Sequence, residues 1–326
     1  MQSPTKQLTM HQALNSALDA AMSSDQNIIL YGQDIATCGG VFRITDGLID
    51  KYGSQRVFNT PLSETLMAGM AVGMALQGLK PICEMQFMGF AYSTLDQMIN
   101  HISRLQHRTK GLASTNIVFR IPFGGQIPAP EHHADSYEQL FATIPGISVV
   151  SPSDSQAAYS LLTASITQTK PTIILEPICR YHQRTNVNTA ITYSLTKART
   201  IQKGNSITII SWAGMVNTVQ QAINLVDTNI SCEHIDLVSL NPIDIESLIT
   251  SVSKTQKLLI VQDSHSTCSI ASEITAQITE RLFNTLKLPI KRLCAPNCIQ
   301  PPYRYRHQYC PQRDTIKQVI EHMSKT

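Results

Sequence analysis

Three stretches of the 326-residue sequence place reactive side chains where they could do chemistry. Glu64 closes the run "RVFNTPLSE", and the next carboxylate along the chain is Glu84. A lone acid at that point has two readings. It is a helix-start residue favoured by the helix dipole and free N–H groups, or a carboxylate held for proton work. The second stretch, "PFGGQIPAPEHHADSYEQLF", follows an apolar run and carries Gly124, Gly125, Glu131, His132, His133 and Asp135. Adjacent histidines do not easily face one site together, so the choice lies between one catalytic imidazole and an ordinary loop histidine. The third is Cys294, Cys298, His307 and Cys310. Tetrahedral zinc accepts those ligand types, but the spacing matches no compact finger, and coincidence in a cysteine-containing tail is the expectation.

The segment after Glu64 holds Gly69 and Gly73 with Met67, Met70 and Met74. Small residues four apart admit a second backbone and methionine fills irregular gaps, so a helix packed in a core or a subunit interface is expected rather than a cofactor box. Glu64 would then open a buried helix.

The elements that must position these residues are legible as an alternation. Short β-rich runs stand at 28–32, 81–87, 117–121, 147–151 and 172–176, with helix-like segments at 8–22, 64–78, 93–108 and 154–168 between them. Such alternation predicts an α/β fold with a largely parallel sheet. Residues 180–205 turn polar and lose apolar periodicity. A second alternation follows, with strands at 206–212, 232–240, 257–262 and 290–293 and helices near 215–227, 244–253, 270–286 and 313–323. The expected organisation is a first α/β domain over 1–185, a linker over 186–204 and a second α/β domain over 205–326.

Apolar content of 42% and charged content of 15% suit a globular chain, and a formal charge of +3 gives no reason to expect nucleic acid. Several of the eight cysteines sit in apolar runs, as free thiols do in a reducing compartment. The apolar stretch 66–82 is interrupted by Gln77, Gly78, Lys80 and Pro81 and does not span a bilayer, and the N-terminus shows no leader pattern. A cytoplasmic protein is expected. Dinucleotide, Walker, nucleophile-elbow and HExxH signatures are absent.

Taken in order, "GGVFRITDGL", "RVFNTPLSE", "EMQFMGF", "DQMIN", "RIPFGG", H-x-x-S-x-E, "IPGISVVSPSD" and "PTIILEP" resemble the β subunits of the thiamine-diphosphate-dependent first component of 2-oxoacid dehydrogenase complexes. The resemblance runs from about Leu8 to Ala295. It implies a pyrimidine-binding α/β domain followed by a transketolase-type C-terminal domain. It also implies a heterotetramer of two α and two β chains, with magnesium and the diphosphate held by the α chain. That division accounts for the missing Gly-Asp-Gly diphosphate pattern. Glu64 matches the glutamate that hydrogen-bonds the aminopyrimidine ring nitrogen. Leu62 and Gln86 match residues lining the cofactor, and Phe90 stands where an aromatic meets the pyrimidine. His133 matches the histidine that binds the 2-oxo acid or handles protons during acyl transfer to a lipoyl group, while His132 takes no role. The implied reaction is oxidative decarboxylation of a 2-oxo acid, pyruvate foremost, and reductive acylation of the lipoyl acyltransferase component. A branched-chain or acetoin-type β subunit is the alternative within the class, and a degenerate assembly or regulatory subunit the alternative outside it.

The sequence departs from that family in four places. Gln33 stands where glutamate is usual. The family's structural potassium loop, near Ile117, Ser165 and Ile166, has Gln168 and Lys170 where acidic and amide residues are expected, so no metal is assigned to this chain. "SHSTCSIAS" (264–272) replaces a Gly-Gly segment. The tail has Asn297 for an aspartate and gains Arg304, Arg306 and Arg313, which predicts weakened or rewired docking of the acyltransferase's basic binding domain.

Overall fold

The computed structural model describes residues 5–113, 115–124 and 128–325. Six apolar runs of the first half become parallel strands of one sheet. Its order is Ser148–Val150, Thr172–Pro177, Val118–Phe123, Lys80–Glu84, Ile28–Gly32 and Val57–Asn59. Both faces of such a sheet are covered, which is why these strands read as continuous apolar runs. Ile28, Leu30, Ile82, Val118 and Ile174 point to one face, against the helices Met10–Ser24 and Ser155–Thr167. Ile29, Tyr31, Cys83, Phe119 and Ile173 point to the other, against the helix Glu64–Leu76. Local chemistry starts the first two helices. Thr9 and Gln12 close a reciprocal capping box, and Asp154 accepts from the Ala157 N–H at 2.7 Å.

Three neighbouring strands of this sheet also carry a buried ionic cluster. Arg120, fully buried, donates from Nη1 to Glu84 at 2.5 Å and from Nε and Nη2 to both oxygens of Glu176 at 2.8 Å each. The Tyr181 hydroxyl donates to Glu176 at 2.7 Å. Burial raises the Glu84 carboxyl, and Arg120 beside it opposes the rise.

The second sheet has the order Lys291–Ala295, Leu258–His265, Ile207–Ser211, Cys232–Asp236 and Arg199–Gln202, with the last strand antiparallel. The two halves are knitted together. Ser239–Asn241, from the second half, adds an antiparallel seventh strand to the first sheet beside Ser148–Val150. Arg199 meets Asp154 at 3.0 Å, and the Ser153 hydroxyl donates to Asp236 at 2.6 Å.

Several expectations need correction. Arg184–Val187 pairs antiparallel with Lys6–Thr9, and Arg199–Gln202 edges the second sheet, so the polar stretch expected to be a linker contains two strands. Edge strands bury little, and the alternation that would have revealed them is missing. The segment 93–108 is not one α-helix: a 3-10 turn (Tyr92–Thr94) and a π-helical stretch (Gln97–Ile102) precede the α-helix Ser103–Arg108. Within this chain the helix Glu64–Leu76 buries one face only, as a helix at a subunit interface would. Met67, Ala68, Ala71 and Ala75 are buried, whereas Leu66 and Leu76 are about half exposed, at 47% and 51%. Among the described residues no helix is long and apolar enough to cross a membrane.

Candidate functional site

Parallel strands end on the same edge of a sheet, and that edge is where open α/β sheets hold their ligands. Every residue singled out for the site in the first half lies there. Gln33 follows the strand Ile28–Gly32, and Leu62 and Glu64 follow Val57–Asn59. Gln86 and Phe90 follow Lys80–Glu84, and His133 lies beyond Val118–Phe123.

Glu64 is the first residue of its 13-residue helix, and Ser63 before it makes no side-chain cap. The Glu64 carboxyl reaches across to the end of a neighbouring strand. Its Oε1 accepts from Gln33 Nε2 at 2.9 Å. Gln33 is 2% exposed, so the amide is a fixed donor and not a surface contact. Among the described residues, Glu64 Oε2 has no hydrogen-bond partner. Leu62, two residues earlier, is 81% exposed, an apolar side chain that nothing in this chain covers. The Thr60 hydroxyl is buried without a partner. Gln86 donates to Asp34 Oδ2 at 3.4 Å, and Asp34 has a left-handed backbone conformation (φ 59°).

His133 sits in a 3-10 turn (Glu131–His133) within an aromatic cluster. Its ring lies 4.7 Å from that of Phe87 and 5.2 Å from that of Phe90, both edge-on. The His132 ring lies 4.3 Å away. The turn is pressed onto Gly89, where an added Cβ would stand 2.1 Å from the His132 carbonyl oxygen, so only glycine fits. His133 Nδ1 is buried and has no partner, an unusual state for an imidazole nitrogen. Phe90 and His133 are thus brought into ring contact. Glu64 and His133 share the sheet edge but no hydrogen bond joins them among the described residues. Gly125 lies outside the described residues.

Sequence reasoning treated Gln33 only as a departure and missed its bond to Glu64. It also missed Glu138, at the end of H-x-x-S-x-E, whose carboxyl accepts from Trp212 and Ser264 of the second half. The motif spacing was the signal available for it.

Near the doubtful potassium loop, two carbonyl oxygens each accept a hydrogen bond from within the chain. Ile166 O accepts from the Asn116 amide at 2.8 Å, and Ile117 O accepts from the Thr172 N–H at 2.9 Å. The Ser165 hydroxyl donates to Leu161 O at 2.7 Å, and the Gln168 amide donates to the Thr172 hydroxyl. In the tail, Cys294 ends a strand, Cys298 is exposed and all eight cysteines are unpaired. Among the described residues, no group of three or more His, Cys, Asp or Glu is placed to hold a metal ion.

Residues 6–182 match the transketolase pyrimidine binding domain, and residues 196–316 match the transketolase C-terminal domain. The chain is 37% identical over 321 residues to a pyruvate dehydrogenase E1 component subunit beta of Acholeplasma laidlawii, covering 98% of each chain. It is 36% identical over 322 residues to the Bacillus subtilis (strain 168) protein of the same name, covering 97% of this chain and 99% of that one. A solved structure described as a split gene transketolase, inactive beta4 tetramer, shares the fold with a TM-score of 0.80 over 98% of both chains, at 16% identity.

Proposed function

From the premise that the chain belongs to the family of pyruvate dehydrogenase E1 component β subunits, we propose that it shares thiamine diphosphate with an α chain and acts with it on pyruvate. The observation that carries the site is Glu64: one oxygen fixed by the buried Gln33 amide, the other unpartnered. The residues present fit one side of the cofactor. The 81% exposed Leu62 and the half-buried Phe90 ring offer apolar surface that this chain leaves unfilled. Magnesium and the diphosphate are assigned to the α chain, because no phosphate-gripping pattern occurs here.

When bound, thiamine diphosphate supplies a nucleophilic carbon and an electron sink for decarboxylation. Glu64 holds a proton at Oε2 for the pyrimidine ring nitrogen, and Gln33 keeps that oxygen turned outward by engaging Oε1. Phe90 and Leu62 exclude water, which strengthens the Glu64 contact. Gln86 braces Asp34, the neighbour of Gln33. To His133, whose ring is held by Phe87 and Phe90, we assign binding of the 2-oxo acid carboxylate or movement of a proton during acyl transfer to the lipoyl acyltransferase. A degenerate subunit is disfavoured, because Glu64, Gln86, Phe90 and His133 all stand at one sheet edge. Eight unpaired cysteines support a reducing, cytoplasmic setting.

The test is co-expression with the α chain of the same organism and an assay of carbon dioxide release from pyruvate and branched 2-oxo acids. Release that depends on added thiamine diphosphate and is fastest with pyruvate is expected. An assembled tetramer inactive on every 2-oxo acid would overturn the reading.

A further inference from the structure

We propose that Glu138 is a positioning residue for His133: its carboxyl group, gripped by Trp212 and Ser264 of the C-terminal domain, fixes the segment 131–138 that presents the imidazole. The proposal rests on the function assigned above to His133 and adds a residue to it.

The segment lies between the two domains. On one side, the turn bearing His133 is pressed on Gly89, and the Tyr92 hydroxyl donates to Asp135 Oδ2 at 3.1 Å. The Gly124 N–H donates to the Asp135 carbonyl at 3.2 Å, tying the segment to the end of its strand. On the other side, the strand Leu258–His265 reaches over it with three consecutive residues. A Cβ on Gly124 would stand 3.9 Å from both Asp263 Oδ2 and Ser136 Oγ, which places the Asp263 carboxyl over the strand end. The Ser264 hydroxyl donates to Glu138 Oε1 at 2.8 Å. The His265 ring meets that of Tyr137 at 5.1 Å, with its Nδ1 3.4 Å from the Gln139 amide. Trp212 Nε1 donates to the same Glu138 oxygen at 3.2 Å.

Glu138 is the polar centre of this contact. It is fully buried, as Trp212 and Ser264 nearly are, and its Oε2 has no partner. A buried charge with one oxygen unsatisfied is costly, and no Lys or Arg contacts this one among the described residues. Burial raises the Glu138 carboxyl well above the ordinary range, with the Asp263 carboxylate adding to the rise. A glutamine keeps an oxygen that can accept from both donors and carries no charge, so it is the close mimic of Glu138. Ser264 belongs to "SHSTCSIAS", the stretch that departs from the family pattern.

The test compares Glu138→Ala, Glu138→Gln and Ser264→Ala in the enzyme assembled with its α chain. Two quantities are read: kcat and KM for pyruvate, and the rate at which diethyl pyrocarbonate modifies His133, followed by peptide mass spectrometry. Glu138→Ala is expected to lower kcat about 100-fold, the cost of a roughly 1 Å misplacement, and to change His133 reactivity several-fold. Glu138→Gln is expected to restore both. Glu138→Ala with wild-type kcat and His133 reactivity overturns the proposal, and so does a glutamine variant as impaired as the alanine one. If Glu138→Ala does not assemble, Ser264→Ala carries the test: a lowered kcat with altered His133 reactivity supports the proposal, and no change in either overturns it. Wild-type enzyme inactive on every 2-oxo acid defeats the functional reading instead, while His133 reactivity still decides whether Glu138 positions that ring.

Discussion

Gln33 donates from Nε2 to Glu64 Oε1 over 2.9 Å, from a position only 2% exposed. A buried amide has lost its water and cannot turn away without leaving a donor unsatisfied, so it holds the carboxyl plane of Glu64 in one orientation. The second oxygen is left for a ligand. This arrangement separates two roles, proton holding by Glu64 and aiming by Gln33, and the two are expected to respond differently to substitution. Glu64→Gln should slow hydrogen–deuterium exchange at the reacting carbon of thiamine diphosphate at least ~100-fold in the assembled enzyme, with assembly intact. Gln33→Met removes only the donor and should cost about 10-fold. Exchange at the wild-type rate in Glu64→Gln would show that Glu64 does not manage that proton.

The ionic cluster on the first sheet makes a prediction about stability. Arg120 sits between Glu84 and Glu176, and the cluster as charged would carry a net negative charge with no water to screen it. Arg120→Met leaves two carboxyls buried without their cation and should destabilise the chain by about 3–5 kcal/mol. Glu84→Gln removes the excess charge and keeps an acceptor for Arg120, so it should cost much less. Urea unfolding of the two variants checks the order. Glu84→Gln as damaging as Arg120→Met would mean the excess charge is not the issue.

Much of this molecule was legible because its signals are local. The parallel sheet announced itself through runs such as Ile28–Gly32 and Thr172–Pro177, whose residues are apolar on both faces because both faces are covered. Glu64, Phe90 and His133 were found through motif order, and the structure sets them on one sheet edge. What escaped depends on contacts between distant segments. The strand Ser239–Asn241 completes a sheet whose other members end before residue 178, and nothing local in three residues foretells that pairing. Glu138 stood in the sequence only as the last position of H-x-x-S-x-E, and its partners Trp212 and Ser264 lie more than 70 residues away. The helix Glu64–Leu76 was expected in a core or a subunit interface, and hydrophobicity alone does not say which chain does the covering.

The tail is expected to choose partners by charge. Residues 296–313 contain three arginines and no acid. Arg306 lies 3.9 Å over the Tyr303 ring and Arg304 4.6 Å over the Tyr305 ring, so their positions are braced rather than free. Ile299 beside them is 82% exposed. A basic subunit-binding domain of the acyltransferase should therefore bind the assembled enzyme weakly, and no more weakly as salt is raised, because like charges are screened along with unlike ones. Calorimetric titration at low and high salt checks this. Tight binding that salt loosens would show that an acidic surface elsewhere does the docking.

His234 gives the last prediction. It is fully buried in the second sheet, with Nε2 2.8 Å from the Ser211 hydroxyl and Nδ1 3.1 Å from Gln220 Oε1. The amide oxygen can only accept, so Nδ1 carries the proton and Nε2 accepts from the serine. The chain Ser211–His234–Gln220 has the look of a hydrolytic relay. Its serine and histidine are wholly enclosed, however, and a neutral imidazole satisfied at both nitrogens is a packing element. Burial lowers its pKa from 6.5 to about 4. The unfolded chain therefore binds a proton at a higher pH than the folded one. The contribution of neutral His234 to stability is complete above pH 6.5 and is lost as pH falls towards about 4, by about 3 kcal/mol in all. Asp236, raised to about 6 by burial, pulls the other way over part of that range, since its folded form gains the proton first. The wild-type curve alone mixes the two. Comparing it with His234→Gln at each pH isolates the imidazole: the stability advantage of the wild type should be constant above pH 7 and shrink steadily below 6.5. An advantage that stays flat down to pH 4 would mean that His234 titrates alike in the folded and unfolded chain.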